Sequence, residues 1–277
     1  MTDSSNDPAA DYPTGASPEP LPLSPRPALG EKYAVLAFVA PLVVYMVVPM
    51  FFNTTAPGDH LAPEHVEAAQ ARYAANHLNL ATTRAALLVP LLAFLAWAIY
   101  LPKLRVSLLA IVVGVVGVVL WVGIDAVGIR QAAAGLFGEE SSIGSFLFPE
   151  RDALNPYELY GVGTFKFWQF LITRFIGLAL IVPIVEELML RGWMVRLIDN
   201  PAFWEVKFGE SSLRAVAAGV AFATLYHPEK LAAVVWFGLT MWLMLKTKNF
   251  WDCVAAHAVT NLLLGVWVLW RGQWELW

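Results

Sequence analysis

About seven stretches of this 277-residue sequence are apolar enough, and long enough or nearly so, to cross a membrane. A backbone surrounded by lipid must satisfy its own N–H and C=O groups, so such runs become helices packed on one another. The expected fold is therefore all-α, a polytopic transmembrane helical bundle of about seven spans. The runs lie near Tyr33–Phe52, Ala85–Tyr100, Val106–Val127, Phe167–Ile198, Leu213–His227, Leu231–Leu245 and Trp251–Trp270. Pro41 and Pro49 are expected kink points in the first, and the fourth is longer than a bilayer needs. Composition agrees, with 58% hydrophobic and only 14% charged residues.

The chain divides into residues 1–31, a proline-rich tail expected to be disordered rather than a signal peptide, residues 32–166 with the first spans and loops, and residues 167–277. The loop Asn53–Thr83 holds an alanine-rich segment that reads as a short surface helix, and the loop Gly128–Lys166 carries Phe146, Phe148, Tyr157 and Tyr160, expected to pack at the interface. Lys103 and Arg105 in a short loop, with Arg191, Arg196, Lys207 and Arg214 after the fourth span, place those loops and the N-terminus in the cytoplasm. Asp125 near the end of the third span reads as a partner of Arg130. Trp236, Trp242, Trp251, Trp267, Trp270, Trp274 and Trp277 read as interfacial anchors. The net charge of −4 and the lack of a basic block argue against a nucleic-acid partner, and a single cysteine, Cys253, excludes a disulfide or a thiolate metal cluster.

Against this apolar background a few polar residues are conspicuous. Glu186, Glu187 and Arg191 interrupt the fourth span, His227 ends the fifth, and His257 and Asn261 lie in the seventh. Ionisable groups at such depth are costly, which makes them functional candidates. Each alone is as well explained by a packed histidine or a structural ion pair. The whole set within the last hundred or so residues is harder to explain by stability. Glu187 and Arg191, four apart, share a helix face, as do His257 and Asn261, whereas Glu186 is rotated about 100° from Glu187 and is expected to point elsewhere. Cys253, one turn before His257, reads as a small buried hydrophobe.

Such a set suits peptide hydrolysis. A carboxylate in an apolar pocket takes a proton from water and returns it to a leaving amine, a histidine orients the water, and a second histidine with an asparagine donates to the oxyanion. Alternatively His227, His257 and Glu186 ligate a divalent metal such as zinc, with water in the fourth position. The residue types leave both open. No H-E-x-x-H motif, glycine-flanked nucleophilic serine or intramembrane aspartate pair is present.

The order Glu186-Glu187-x-x-x-Arg191, His227, His257-x-x-x-Asn261 resembles the CAAX protease and bacteriocin-processing (CPBP, or Abi) family of intramembrane endopeptidases, over about Phe167–Trp277. The family histidine is usually preceded four residues earlier by phenylalanine; here Ala223 stands there and Phe222 is one residue further back. The C-terminal stretch is also similar to the subgroup found beside bacterial exosortase and protein-sorting systems. The resemblance implies Glu186 as general base with His227, His257 and Asn261 as oxyanion donors, Glu187 and Arg191 in support, and a mechanism without a metal. It also implies a bacterial inner-membrane location and, as substrate, a membrane-anchored or lipidated protein or sorting-signal peptide cut near its C-terminus. Alternation of the spans would put His227 opposite Glu186 unless both lie near mid-depth, so a cavity is expected between the fourth, fifth and seventh helices. The alternative is a non-proteolytic membrane scaffold or a proton-coupled carrier, the latter disfavoured by the absence of a repeat.

Overall fold

The computed structural model describes residues 21–57, 62–127 and 153–276. Among them there is no strand, only an isolated bridge between Pro25 and Ile99. Helix α1 (Ala34–Val47) contains Pro41 and closes in a 3-10 turn, Val48–Phe51, around Pro49. α2 (Pro63–Ala86) starts with proline at a position where no N–H is needed. α3 (Leu88–Ala98) follows after Leu87 alone, because Pro90 has no N–H to continue the ladder. The helix expected in this loop is longer than a short surface helix, and with α3 it makes one 35-residue stretch, Glu64–Ala98, that contains an apolar window long enough to cross a membrane. Its inner face explains the difference: Leu78 and Ala81 are buried with Phe167, Phe170 and Leu171 of a later helix, so tertiary packing extends what propensity only began.

α4 (Leu108–Ala126) is capped by Ser107, whose backbone N–H and hydroxyl both donate to the buried carboxylate of Asp252, at 2.7 and 2.9 Å. α5 (Pro156–Tyr160) is a single short segment whose Tyr160 hydroxyl donates to the Ala74 carbonyl at 2.9 Å. α6 (Phe165–Asp199) carries two π-helical stretches, Gly177–Ile181 and Leu188–Met194. α7 (Leu213–Tyr226), α8 (Lys230–Thr247) and α9 (Phe250–Arg271) complete the bundle. Six of these helical rods are long and apolar enough to span a membrane, and α7, with 14 residues, is a shorter apolar helix. With apolar side chains such as Val89, Leu108 and Val119 exposed on the outer faces, this is an integral membrane protein.

The closest helix pair sets the floor of the bundle. α4 meets α9 through Gly114 and Gly117, where an added Cβ would lie 2.7 Å from the Ala256 carbonyl oxygen and the Thr260 hydroxyl. Small residues allow this approach in lipid, where close packing rather than water expulsion drives association.

One charge and one tail residue counted in sequence as loop or tail features are structural. Arg196 is only 1% exposed and donates to the carbonyls of Val206, Leu23 and Gly192. Leu23, fully buried, donates its N–H to the Tyr100 carbonyl, so the stretch from Leu21 is held against the α3 end. Residues 1–20, Arg130, Phe146, Phe148 and Trp277 lie outside the described residues.

Candidate active site

The site is built from the middle of α6 outward. Glu187 and Arg191 pair along the helix, both fully buried, and the second guanidinium nitrogen donates to the Thr240 hydroxyl of α8. Thr240 is an unremarkable threonine in an apolar helix, and sequence offered no signal for it. A buried charge pair is tolerable when its remaining hydrogen-bonding capacity is used, and Thr240 uses part of it.

The imidazole of His257 stands between the two glutamates. Its Nδ1 lies 3.0 Å from a Glu187 carboxylate oxygen and its Nε2 lies 3.6 Å from a Glu186 oxygen. Glu186 therefore does not point elsewhere, as expected; the 100° rotation is spanned by a ring whose two nitrogens face opposite ways. A carboxylate only accepts, so Nδ1 carries the hydrogen it gives to Glu187, and in the neutral ring Nε2 is left as an acceptor. The Glu186 oxygen facing it has no hydrogen-bond partner among the described residues. Two acceptors 3.6 Å apart are spaced for a water that donates one hydrogen to each and turns its lone pairs outward.

His257 is packed edge-on against Trp236, ring centroids 4.6 Å apart, and the Trp236 indole donates to Thr260 at 3.1 Å. Trp236 is 3% exposed, so it is no interfacial anchor; its polar edge finds a partner inside the bundle. Trp242 and Trp270, 47% and 73% exposed, do face outward. Thr260, one turn along α9 from His257, has one hydroxyl hydrogen to share between the carbonyls of Ala256 and Gly114, each 2.9 Å away.

His227 follows α7 in an extended conformation, with Nδ1 2.8 Å from the Ala223 carbonyl. That carbonyl fixes the hydrogen on Nδ1, so Nε2 donates only when the ring is protonated. Phe222, displaced from the family position, stacks on Tyr226 and does not reach the site by any contact seen here.

Asn261 is placed by a proline. Pro183 has no N–H, and the Val182 N–H is taken by the Gly177 carbonyl across the π turn. The Leu178 carbonyl is thereby left without a helical donor, and Asn261 Nδ2 supplies one at 2.9 Å. One amide hydrogen remains. Cys253, one turn before His257 on α9, is a free, fully buried thiol.

A cavity of about 40 Å³ brings these groups together, lined by Trp121, His227, Trp236, His257, Thr260, Asn261 and Leu264. That is room for a few waters. The expected cavity between the fourth, fifth and seventh spans is displaced: α4 and α8 supply Trp121 and Trp236, because the glycine seam draws α4 in, and Glu186 faces the ring of His257, one of the cavity's walls, 3.6 Å from Nε2. Among the described residues no three His, Cys, Asp or Glu side chains form a group that could hold a metal ion.

Residues 168–263 match a family model described as type II CAAX prenyl endopeptidase Rce1-like, a range that contains Glu186, Glu187, Arg191, His227, His257 and Asn261. Comparisons with curated proteins and with solved structures give no match. The chain thus carries, over residues 168–263, a type II CAAX prenyl endopeptidase Rce1-like domain, consistent with the CPBP family of intramembrane endopeptidases.

Proposed function

We propose that this protein is an intramembrane endopeptidase that cleaves a membrane-anchored or lipidated protein near its C-terminus, with water as nucleophile and Glu186 as general base. The observation that carries the reading is the 3.6 Å gap between Glu186 and His257 Nε2, two acceptors in an apolar bundle with a small cavity beside them. A water there gives its proton to Glu186 while its oxygen attacks the scissile carbonyl; Glu186 then delivers the proton to the leaving amine, so acid and base are the same group. Glu187, held by Arg191, keeps the His257 tautomer that accepts from this water. The free amide hydrogen of Asn261 and, when protonated, His227 Nε2 stabilise the oxyanion. No metal takes part in this scheme.

The resemblance of the C-terminal stretch to sorting-associated relatives supports a sorting-signal peptide as the substrate in a bacterial inner membrane, with the N-terminus in the cytoplasm. The test is cleavage of a panel of lipidated and sorting-signal reporter peptides by wild type and Glu186→Ala, with and without a strong chelator. Wild type cuts with the chelator present and Glu186→Ala does not; loss of activity on chelation, restored by zinc, would refute the metal-free scheme. A scaffold would instead keep its cellular function in Glu186→Ala.

A further inference from the structure

His227 stands just past the end of a helix, and what holds it there is a lysine. Pro228 has no N–H and disfavours helical geometry in the residue before it, so α7 stops at Tyr226 and His227 is extended, with φ −86° and ψ 138°. A helix that stops leaves its last four carbonyls, here those of Ala223 to Tyr226, without helical donors, and lipid supplies none. Side chains meet two of them. His227 itself gives its Nδ1 hydrogen to Ala223 at 2.8 Å, and the Lys230 ammonium gives one to Leu225 at 2.8 Å. The same ammonium gives a second hydrogen to the carbonyl of His227 at 2.7 Å.

Lys230 is the first residue of α8, so it clamps the start of that helix to the end of α7 across the turn His227-Pro228-Glu229. A cation is favoured at a helix C-terminus, where the dipole is negative, and an ammonium has hydrogens enough to bridge two carbonyls. His227 is thereby fixed twice, its ring by Ala223 and its carbonyl by Lys230. With Nδ1 anchored on α7, Nε2 is the nitrogen turned away from that helix, and His227 lines the catalytic cavity with His257 and Asn261. The ring also packs edge-on with Phe237 and Trp121, centroids 4.9 and 6.2 Å away. Such contacts limit its tilt without choosing between its nitrogens; the choice depends on the backbone register.

We infer that Lys230 is a positioning residue for His227: by bridging the Leu225 and His227 carbonyls it holds the turn that keeps Nδ1 on Ala223 and leaves Nε2 for the reacting atoms. The use of Nε2 rests on the endopeptidase reading, but the hold on the ring does not, and it can be measured without turnover. Full-length protein labelled with 15N-histidine is reconstituted in zwitterionic lipid vesicles, and its ring nitrogens are recorded by solid-state NMR at alkaline pH, where an ordinary histidine is neutral. The His227 signals are those lost in His227→Gln. The same preparations are offered the reporter peptides.

Wild type should show His227 as a single tautomer with the hydrogen on Nδ1. Lys230→Met, which keeps a long stem and loses the donors, should show a mixture with the Nε2 form. If it is not recovered folded, Lys230→Gln, whose shorter arm cannot bridge both carbonyls, takes its place with the same expectation. A mixture already present in wild type, or an unchanged Nδ1 tautomer in the folded variant, overturns the inference whatever wild type cleaves. In cleavage the variant should lose about 10–100-fold in kcat with KM unchanged, as when a group acting in the transition state is misplaced. With wild type active, an unchanged kcat also overturns the inference. A shifted tautomer in the variant, with no reporter cut by wild type, leaves Lys230 as the holder of His227 and removes the proposed function instead.

Discussion

The ring of His257 divides two adjacent carboxylates between two tasks. Glu187 meets Nδ1 at 3.0 Å and a guanidinium from Arg191, so it is held, whereas Glu186 faces only Nε2, at 3.6 Å, and in the proposed mechanism is the carboxylate left to react. The same sequence pair would be ambiguous in any assay that replaced both. Removing Arg191 leaves Glu187 charged and alone in the bundle, and breaking a buried pair on one side costs about 3–5 kcal/mol. Arg191→Met should therefore lower the thermal unfolding temperature in detergent by several degrees or prevent recovery of folded protein. An unchanged unfolding temperature would mean the pair does not stabilise the bundle.

At the scale of the element, α6 is shaped by what Pro183 lacks. Asn261→Ala should cost about 1–3 kcal/mol by stranding the Leu178 carbonyl. In a Pro183→Ala background, residue 183 regains an N–H and the cost of Asn261→Ala should shrink; a double-mutant cycle on unfolding reads the coupling. Additivity would show that the two are independent. The α4–α9 seam has no spare volume at Gly117, where a Cβ would lie 2.7 Å from Thr260 and from the Trp236 indole. Gly117→Val should cost about 1–3 kcal/mol and also weaken cleavage, because the displaced atoms are those that position His257. Outside the membrane-spanning segments, the hydrogen bond from Lys248 at 2.9 Å holds Glu210 below the usual carboxylate range and ties the loop before α7 to the end of α8. Whatever that exposed pair contributes is present at neutral pH and lost as pH falls through the folded-state pKa of Glu210. Lys248→Ala should thus lower the unfolding temperature slightly at pH 7 and leave it unchanged near pH 3.

Over the whole molecule, the class of fold and the candidate site residues were legible in sequence because lipid makes both conspicuous. Long apolar runs can only be helices, and charges within them stand out. The partners that orient those charges were not legible: Thr240, Thr260 and Trp236 look like ordinary residues of apolar helices, and only the packing of α4, α8 and α9 reveals their use. The length of α2 was underestimated for a related reason, since its weakly apolar face finds its partners, Phe167 and Phe170, only in the folded bundle. Rotation about a single helix misplaced Glu186, because the imidazole that joins it to Glu187 comes from seventy residues away.

The central claim is that Glu186 reacts while Glu187 holds. It is tested most directly by measuring cleavage rate and unfolding temperature together for Glu186→Gln and Glu187→Gln. Glu186→Gln should lose about 10³-fold or more in rate, within the range that general acid–base catalysis supplies, with its unfolding temperature intact. Glu187→Gln should lose stability first and activity as a consequence of it. Substantial turnover by Glu186→Gln, or the reverse pattern in which Glu187→Gln is stable and inert, would contradict the assignment.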